Sequence, residues 1–117
     1  MSKRDARLFL ADMLESIEKI ERYTASLDFE QFAADDLIVD AVTRNLEIIG
    51  EAARQIPGPI RRRYPEIAWR RVVGFRNIVI HEYFAVDLGI VWTIIRKNLP
   101  ALKHALQNML ADLEQGG

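Results

Sequence analysis

The sequence predicts an all-α fold, a four-helix up-and-down bundle whose last helix kinks near Pro100, and three observations point there. Apolar residues recur at helical spacing along most of the 117 residues, Pro57-Gly58-Pro59 breaks the pattern between two long helical stretches, and one β-branched run has no second strand to pair with. Half the residues are hydrophobic and 28% are charged, which suits one packed domain over 1–117 and excludes wholesale disorder. There is no cysteine, so disulfides, cysteine-zinc sites and a thiol nucleophile are excluded together, and a reducing compartment fits. The longest stretches free of Asp, Glu, Lys and Arg are Leu88–Ile95 and His104–Ala111, far short of the ~18 residues that span a bilayer. With no apolar signal core at the N-terminus either, the expectation is a soluble cytoplasmic chain that uses no membrane.

Residues 3–27 read as the first amphipathic helix. Leu10, Met13, Leu14, Ile17, Ile20 and Leu27 keep to one side and Asp12, Glu15, Lys19 and Arg22 to the other, with Ser2 and Asp5 as a weak capping box. Asp28 is placed to cap a short turn through Phe32, and Asp35 or Asp36 a second long helix to Ile56. That helix carries an apolar stripe (Ile38, Val42, Leu46, Ile49, Ala53, Ile56) and a polar face (Asp40, Arg44, Glu47, Glu51, Arg54). Pro57-Gly58-Pro59 stops it, and a basic connector over Ile60–Pro65 follows. The third helix runs from Trp69 to about Tyr83. Asp87 caps the last, with Leu88, Val91, Ile95, Leu99, Leu102, Leu106, Leu110 and Leu113 on its apolar side, and Pro100 should kink or split it near Asn98.

The net charge of −1 hides a segregation. Residues 1–53 hold six basic and twelve acidic side chains, whereas residues 54–103 hold ten basic and three acidic. Twelve of the sixteen basic residues are arginine, whose planar fork suits phosphate better than the point charge of lysine. Arg61, Arg62, Arg63, Arg70 and Arg71 therefore look built to meet an anion, or the acidic half of a partner chain. A plain solvated face explains the same composition equally well.

The third helix puts polar groups where packing favours none. Arg76 and Asn77 stand in a helix apolar nearly all round, so both are expected in a partly desolvated place where an unpaired guanidinium is costly. Glu47 and Glu51 repel one another on the second helix unless a cation intervenes, so an Arg76–Glu51 contact would satisfy both helices. His81 and Glu82 are adjacent and only one other histidine exists, His104, so no metal site is expected. Nucleotide-binding glycine fingerprints and a serine elbow are also missing. One histidine, one arginine, an amide and a phenol remain within eight residues. These suit phosphodiester chemistry without metal or other cofactor, with histidine moving a proton and arginine stabilising phosphorane charge. A buried Arg–Glu pair is also common as plain architecture.

Arg76-Asn77-Ile78-Val79-Ile80-His81-Glu82-Tyr83 forms an R-x4-H-x-Y motif with a polar residue directly after the arginine. In this the chain resembles the HEPN-domain ribonucleases, specifically the HepT-like branch. The likeness extends through Arg4-Asp5, Ala41-Val42, Arg44-Asn45-Leu46, Ile48-Ile49-Gly50-Glu51-Ala52, Trp69-Arg70, Gly74-Phe75, Val91-Trp92 and Asn98-Leu99-Pro100. Ala68 stands where the family commonly has proline, and Glu82 where glycine is frequent. The resemblance implies an all-helical, homodimeric toxin of a type VII toxin–antitoxin pair, its motifs facing one another, that cleaves RNA (tRNA or mRNA). It further implies a small nucleotidyltransferase antitoxin of the MntA kind that transfers AMP from ATP to the motif tyrosine, here Tyr83. In that light Arg76 and His81 are the expected catalytic residues, with Asn77 and Glu51 in support.

On an ideal helix His81 lies about 140° around the axis from Arg76. Either the helix loosens before His81, or a second protomer supplies part of the site, and a two-fold interface would bring two copies of His81 to one cleft. The competing function is a non-catalytic helical partner of a nucleotidyltransferase. The intact Arg76, His81 and Tyr83 favour the enzyme.

Overall fold

Short acidic caps decide where the helices begin. In a computed structural model of the protein, residues 5–81 and 87–116 are described, residues 78–81 by their backbone alone. The Asp5 carboxylate accepts the Arg7 amide and starts α1 (Ala6–Thr24). The first helix is thus shorter than the predicted 3–27: Asp5 is its cap and Ser2 lies outside the described residues. Asp28 caps α2 (Phe29–Ala33) in a full capping box with Gln31, and Asp35 caps α3 (Asp36–Gln55) through the Ile38 amide. After Pro57 the expected connector is in part helical. α4 (Gly58–Arg61) is a single turn with proline in its first positions, where the missing N–H costs nothing. α5 (Trp69–His81) follows, and Asp87 caps α6 (Leu88–Thr93) through the Gly89 amide.

Near Asn98 the last helix changes its ladder. Ile94–Asn98 form a π turn in which the Leu99 amide reaches back to the Ile94 carbonyl, and α7 (Leu99–Glu114) begins with Pro100 in its first turn. The longer helices α1, α3, α5 and α7 each present apolar residues to one core, and no described residue is in a strand. α3 packs against α1 on one side and α5 on the other, while α7 packs on α1. Lys103 meets Glu21 at 2.9 Å near the C-terminal end of α1, and the charge of Glu114 reaches Arg7 at the other end, so α1 and α7 run antiparallel. Phe32, Phe75, Leu10, Met13, Ile17, Leu46, Ile49, Leu99 and Met109 are fully buried, each such side chain contributing about 1.5–3 kcal/mol. This is an all-α bundle, and no described helix is long and apolar enough to cross a membrane.

Two polar anchors fix the connector before α5. The Trp69 indole N–H donates to the carbonyls of both Arg61 and Tyr64 at 3.1 Å. The Tyr64 hydroxyl donates to Asp112 of α7 at 3.0 Å, and burial together with that bond pushes its pKa up. These contacts set where α5 starts and therefore how it lies on α3.

Candidate active site

α5 and α3 approach closely at one glycine. A Cβ on Gly50 would stand 2.7 Å from the backbone nitrogen of Arg76 and 3.0 Å from the Val73 carbonyl oxygen, closer than side-chain carbons come. With hydrogen alone at that position, the backbone of α5 rests directly on α3. One residue further along α3, Glu51 meets Arg76: Oε2 lies 2.9 Å from Nε, with the arginine side chain 38% and the glutamate 41% exposed. The Arg76–Glu51 contact expected from the two sequences is present.

Glu51 is a shared anion. It also accepts from Arg54 Nη2 at 3.1 Å and from the Gln55 amide at 3.4 Å. Its carboxyl is held below the ordinary glutamate range, chiefly by the Arg54 hydrogen bond and charge, then by Gln55 and the charge of Arg76. Glu47, one turn earlier, pairs with Arg44 at 2.6 Å. Each of the two like charges therefore has its own cation. Together these residues line a cleft of about 500 Å³ between α1, α3 and α5, to which α1 contributes Phe9 and Asp12.

The other predicted residues are placed less uniformly. Asn77 is exposed, not partly desolvated as expected, because it lies one residue and about 100° around α5 from Arg76, which meets α3. His81 is the last residue of α5 and its side chain is outside the description; Tyr83 lies outside the described residues altogether. The helical backbone continues through His81, so the loosening allowed by the sequence does not occur, and His81 keeps its register about 140° from Arg76. His104 is exposed on α7, 3.4 Å from the Asn108 amide.

Nor do the arginines form one patch. Arg61 is half-buried, its Nε buried without a hydrogen-bond partner, and it lines a notch with Arg62 and Trp69. Arg63 lies over the ring of Tyr64 at 5.8 Å. Arg70 and Arg71 are exposed on α5, and Arg71 lines a groove that faces α6. None of these five lines the cleft that holds Arg76. Sequence reading missed Gly50 as the contact point; the signal was a glycine inside an amphipathic helix, where it costs about 1 kcal/mol against alanine and so needs a packing reason. It also missed Phe9 and Asp12, which no local pattern connects to α3.

A family model described as ribonuclease HepT-like matches residues 13–109. A Methanocaldococcus jannaschii protein named as a candidate RNase is 41% identical over 107 residues, covering 92% of this chain and 98% of that one. A second from the same organism, similarly named, is 39% identical over 115 residues, covering 98% and 99%. A Thermococcus cleftensis protein named "Probable ribonuclease HepT" is 40% identical over 107 residues, covering 92% and 97%. No solved structure matches the chain. With a match that reaches from α1 into α7 and takes in Glu51, Arg76 and His81, the chain belongs to the HepT-like ribonuclease family.

Proposed function

We infer that this ribonuclease is a metal-independent RNA endonuclease and the toxin of a toxin–antitoxin pair, acting as a homodimer in the cytoplasm. The observation that carries the reading is the Glu51–Arg76 pair, a guanidinium oriented through its inner nitrogen at the edge of a cleft in a chain of ribonuclease family. Held there, Arg76 is oriented to stabilise charge developing on a phosphodiester. In the proposed reaction His81 takes the proton of the 2′-hydroxyl, that oxygen bonds to the adjacent phosphorus, and the P–O5′ bond breaks. The leaving oxygen receives a proton from a second acid, which leaves a 2′,3′-cyclic phosphate and a 5′-hydroxyl. A single histidine in the motif and the wide angle between His81 and Arg76 favour a second protomer as the source of the remaining groups. Asn77 supports the catalytic pair, and the arginines Arg61, Arg62, Arg63, Arg70 and Arg71 hold the RNA strand. Silencing is by a nucleotidyltransferase antitoxin that attaches AMP to Tyr83, adding a negative charge that competes with RNA phosphate.

The test is cleavage of total RNA and tRNA by the purified chain with and without EDTA. Unchanged activity under chelation and cyclic-phosphate termini support the reading; loss of activity that added Mg²⁺ restores overturns the metal-independent mechanism. Co-expression with the cognate nucleotidyltransferase should add ~329 Da, or multiples of it, to the Tyr83 peptide, the mass a phosphodiester-linked AMP contributes. Tyr83→Phe should stay toxic and escape neutralisation.

A further inference from the structure

The side of α5 away from Arg76 is hollow. Between α5 and the α6–π segment runs a groove of about 510 Å³ lined by Arg71, Gly74, Phe75, Ile90, Ile94 and Asn98. Arg71, Phe75 and Asn98 also line a second hollow of about 190 Å³ beside α7. The size lies in the range of small-molecule sites.

Three independent features shape it. A Cβ on Gly74 would meet nothing within 4 Å, so the glycine leaves open space where α5 would otherwise present a side chain. The π turn supplies the opposite wall through its first and last residues, Ile94 and Asn98, and such turns are frequent at functional sites. At the lip, Arg71 is exposed and among the described residues enters no ion pair, whereas Arg44, Arg54, Arg76 and Arg96 are all engaged.

We propose that this groove seats one unpaired nucleotide of the RNA substrate next to the bond that is cut. The base lies against the exposed Ile90, over a floor whose buried members are Phe75 and Ile94, its edge meets the Asn98 carboxamide, which offers a donor and an acceptor in one plane, and its phosphate meets the Arg71 fork. An apolar helix in the same place would leave Arg71 and Asn98 against hydrocarbon. The register of α5 connects the groove to the chemistry. Gly74 and His81 are seven residues apart on a continuous helix, so they share a face to within about 20° and stand ~10 Å apart along the axis. A nucleotide at Gly74 thus directs the neighbouring phosphodiester along α5 toward His81, and the groove becomes the part of the enzyme that chooses the base.

The proposal rests on the ribonuclease reading, and its test separates the two. Binding of the four nucleoside 5′-monophosphates is measured by NMR titration on wild type, Gly74→Leu, Asn98→Ala and Arg71→Gln. Cut sites are mapped by sequencing the RNA termini. Gly74→Leu should fold, since the position is open, and should bind every mononucleotide at least tenfold more weakly. On RNA it should raise KM with little change in kcat and flatten the base preference beside the cut, as Asn98→Ala should. Arg71→Gln should weaken monophosphates but leave the corresponding nucleosides unaffected. Nucleotide binding that Gly74→Leu leaves intact, or a base preference that survives it, overturns the proposal. Gly74-dependent binding by a chain that cleaves no RNA would keep the groove as a nucleotide site and remove the ribonuclease reading.

Discussion

The two long sides of α5 each turn on a glycine, and the glycines do opposite things. At Gly50 the absent side chain lets two backbones touch; at Gly74 it leaves a hollow. On the first side, Glu51 and Arg76 are locked in a fixed pair beside the contact; on the second, Arg71 and Asn98 border open space. A residue type by itself therefore says nothing of tightness. What matters is whether a neighbouring backbone or only solvent occupies the cone that Cβ would fill.

The strongest way to break this comparison is to remove the proposed catalytic groups, Arg76 from the tight side and His81 from the register of Gly74. Arg76→Ala and His81→Ala should each lower RNA cleavage by about 10²-fold or more, with far-UV circular dichroism unchanged. Comparable losses from Arg70→Ala or Arg71→Ala would mean that the two sides are not functionally distinct. Gly50→Ala comes next. Relief of the glycine penalty returns about 1 kcal/mol, but a methyl against the α5 backbone costs about 1–3 kcal/mol, so a net loss and a lower melting temperature are expected. Activity should fall with it, because Arg76 is carried away from Glu51.

Most of the fold was legible in advance because its signals are local. Asp28 and Asp87 stand one residue ahead of apolar stripes and cap the helices they were expected to cap, and of the two candidates Asp35 and Asp36 it is Asp35 that caps α3. The Glu51–Arg76 contact was legible for an electrostatic reason: a carboxylate pair on one helix and an arginine in an apolar helix each required an opposite charge. The π turn was not, since proline announces a disturbance but not whether the ladder bends or takes in an extra residue. The spread of the arginines was illegible too. Five of them lie within eleven residues of sequence, yet the α4 turn and the helical phase of α5 send Arg61 and Arg62 to one hollow and Arg71 to another. Composition records the number of charges; packing decides which way they look.

A smaller effect sharpens the tight side. Because Glu51 titrates below the ordinary glutamate range, its pairing with Arg76 is fully present above that range and is lost as pH falls through the lowered value. Glu51→Gln should lower kcat by about fivefold near neutrality and remove the acid-side fall in the kcat profile that this carboxyl contributes. An unchanged profile would make the pair purely architectural. The smallest effect belongs to the open side. Gly74→Ala meets no obstacle and adds helix propensity, so it should raise stability by about 0.5–1 kcal/mol, seen as a melting temperature a few degrees higher. A loss of stability there would show the groove to be filled.

Arg96 sits in the π turn, stacked 4.2 Å from the Trp92 ring, and donates to the carbonyls of Thr24 and Leu27 at 2.8 and 2.7 Å. Those oxygens belong to the end of α1 and the loop beyond it, where a helix runs out of partners of its own, and the Leu27 amide reaches only the first of them, at 3.1 Å. The residue that joins them arrives 72 and 69 positions later in the chain. The Leu27 carbonyl must therefore wait for this clasp until the π turn has been made. Contacts of that span slow the search for the native state and tie both ends of the chain into one cooperative unit. A nascent chain stalled before Trp92 would hold α1 without its clasp, exposed to proteases at Ala25 and Ser26, whereas release of a few more residues would close it in a single step.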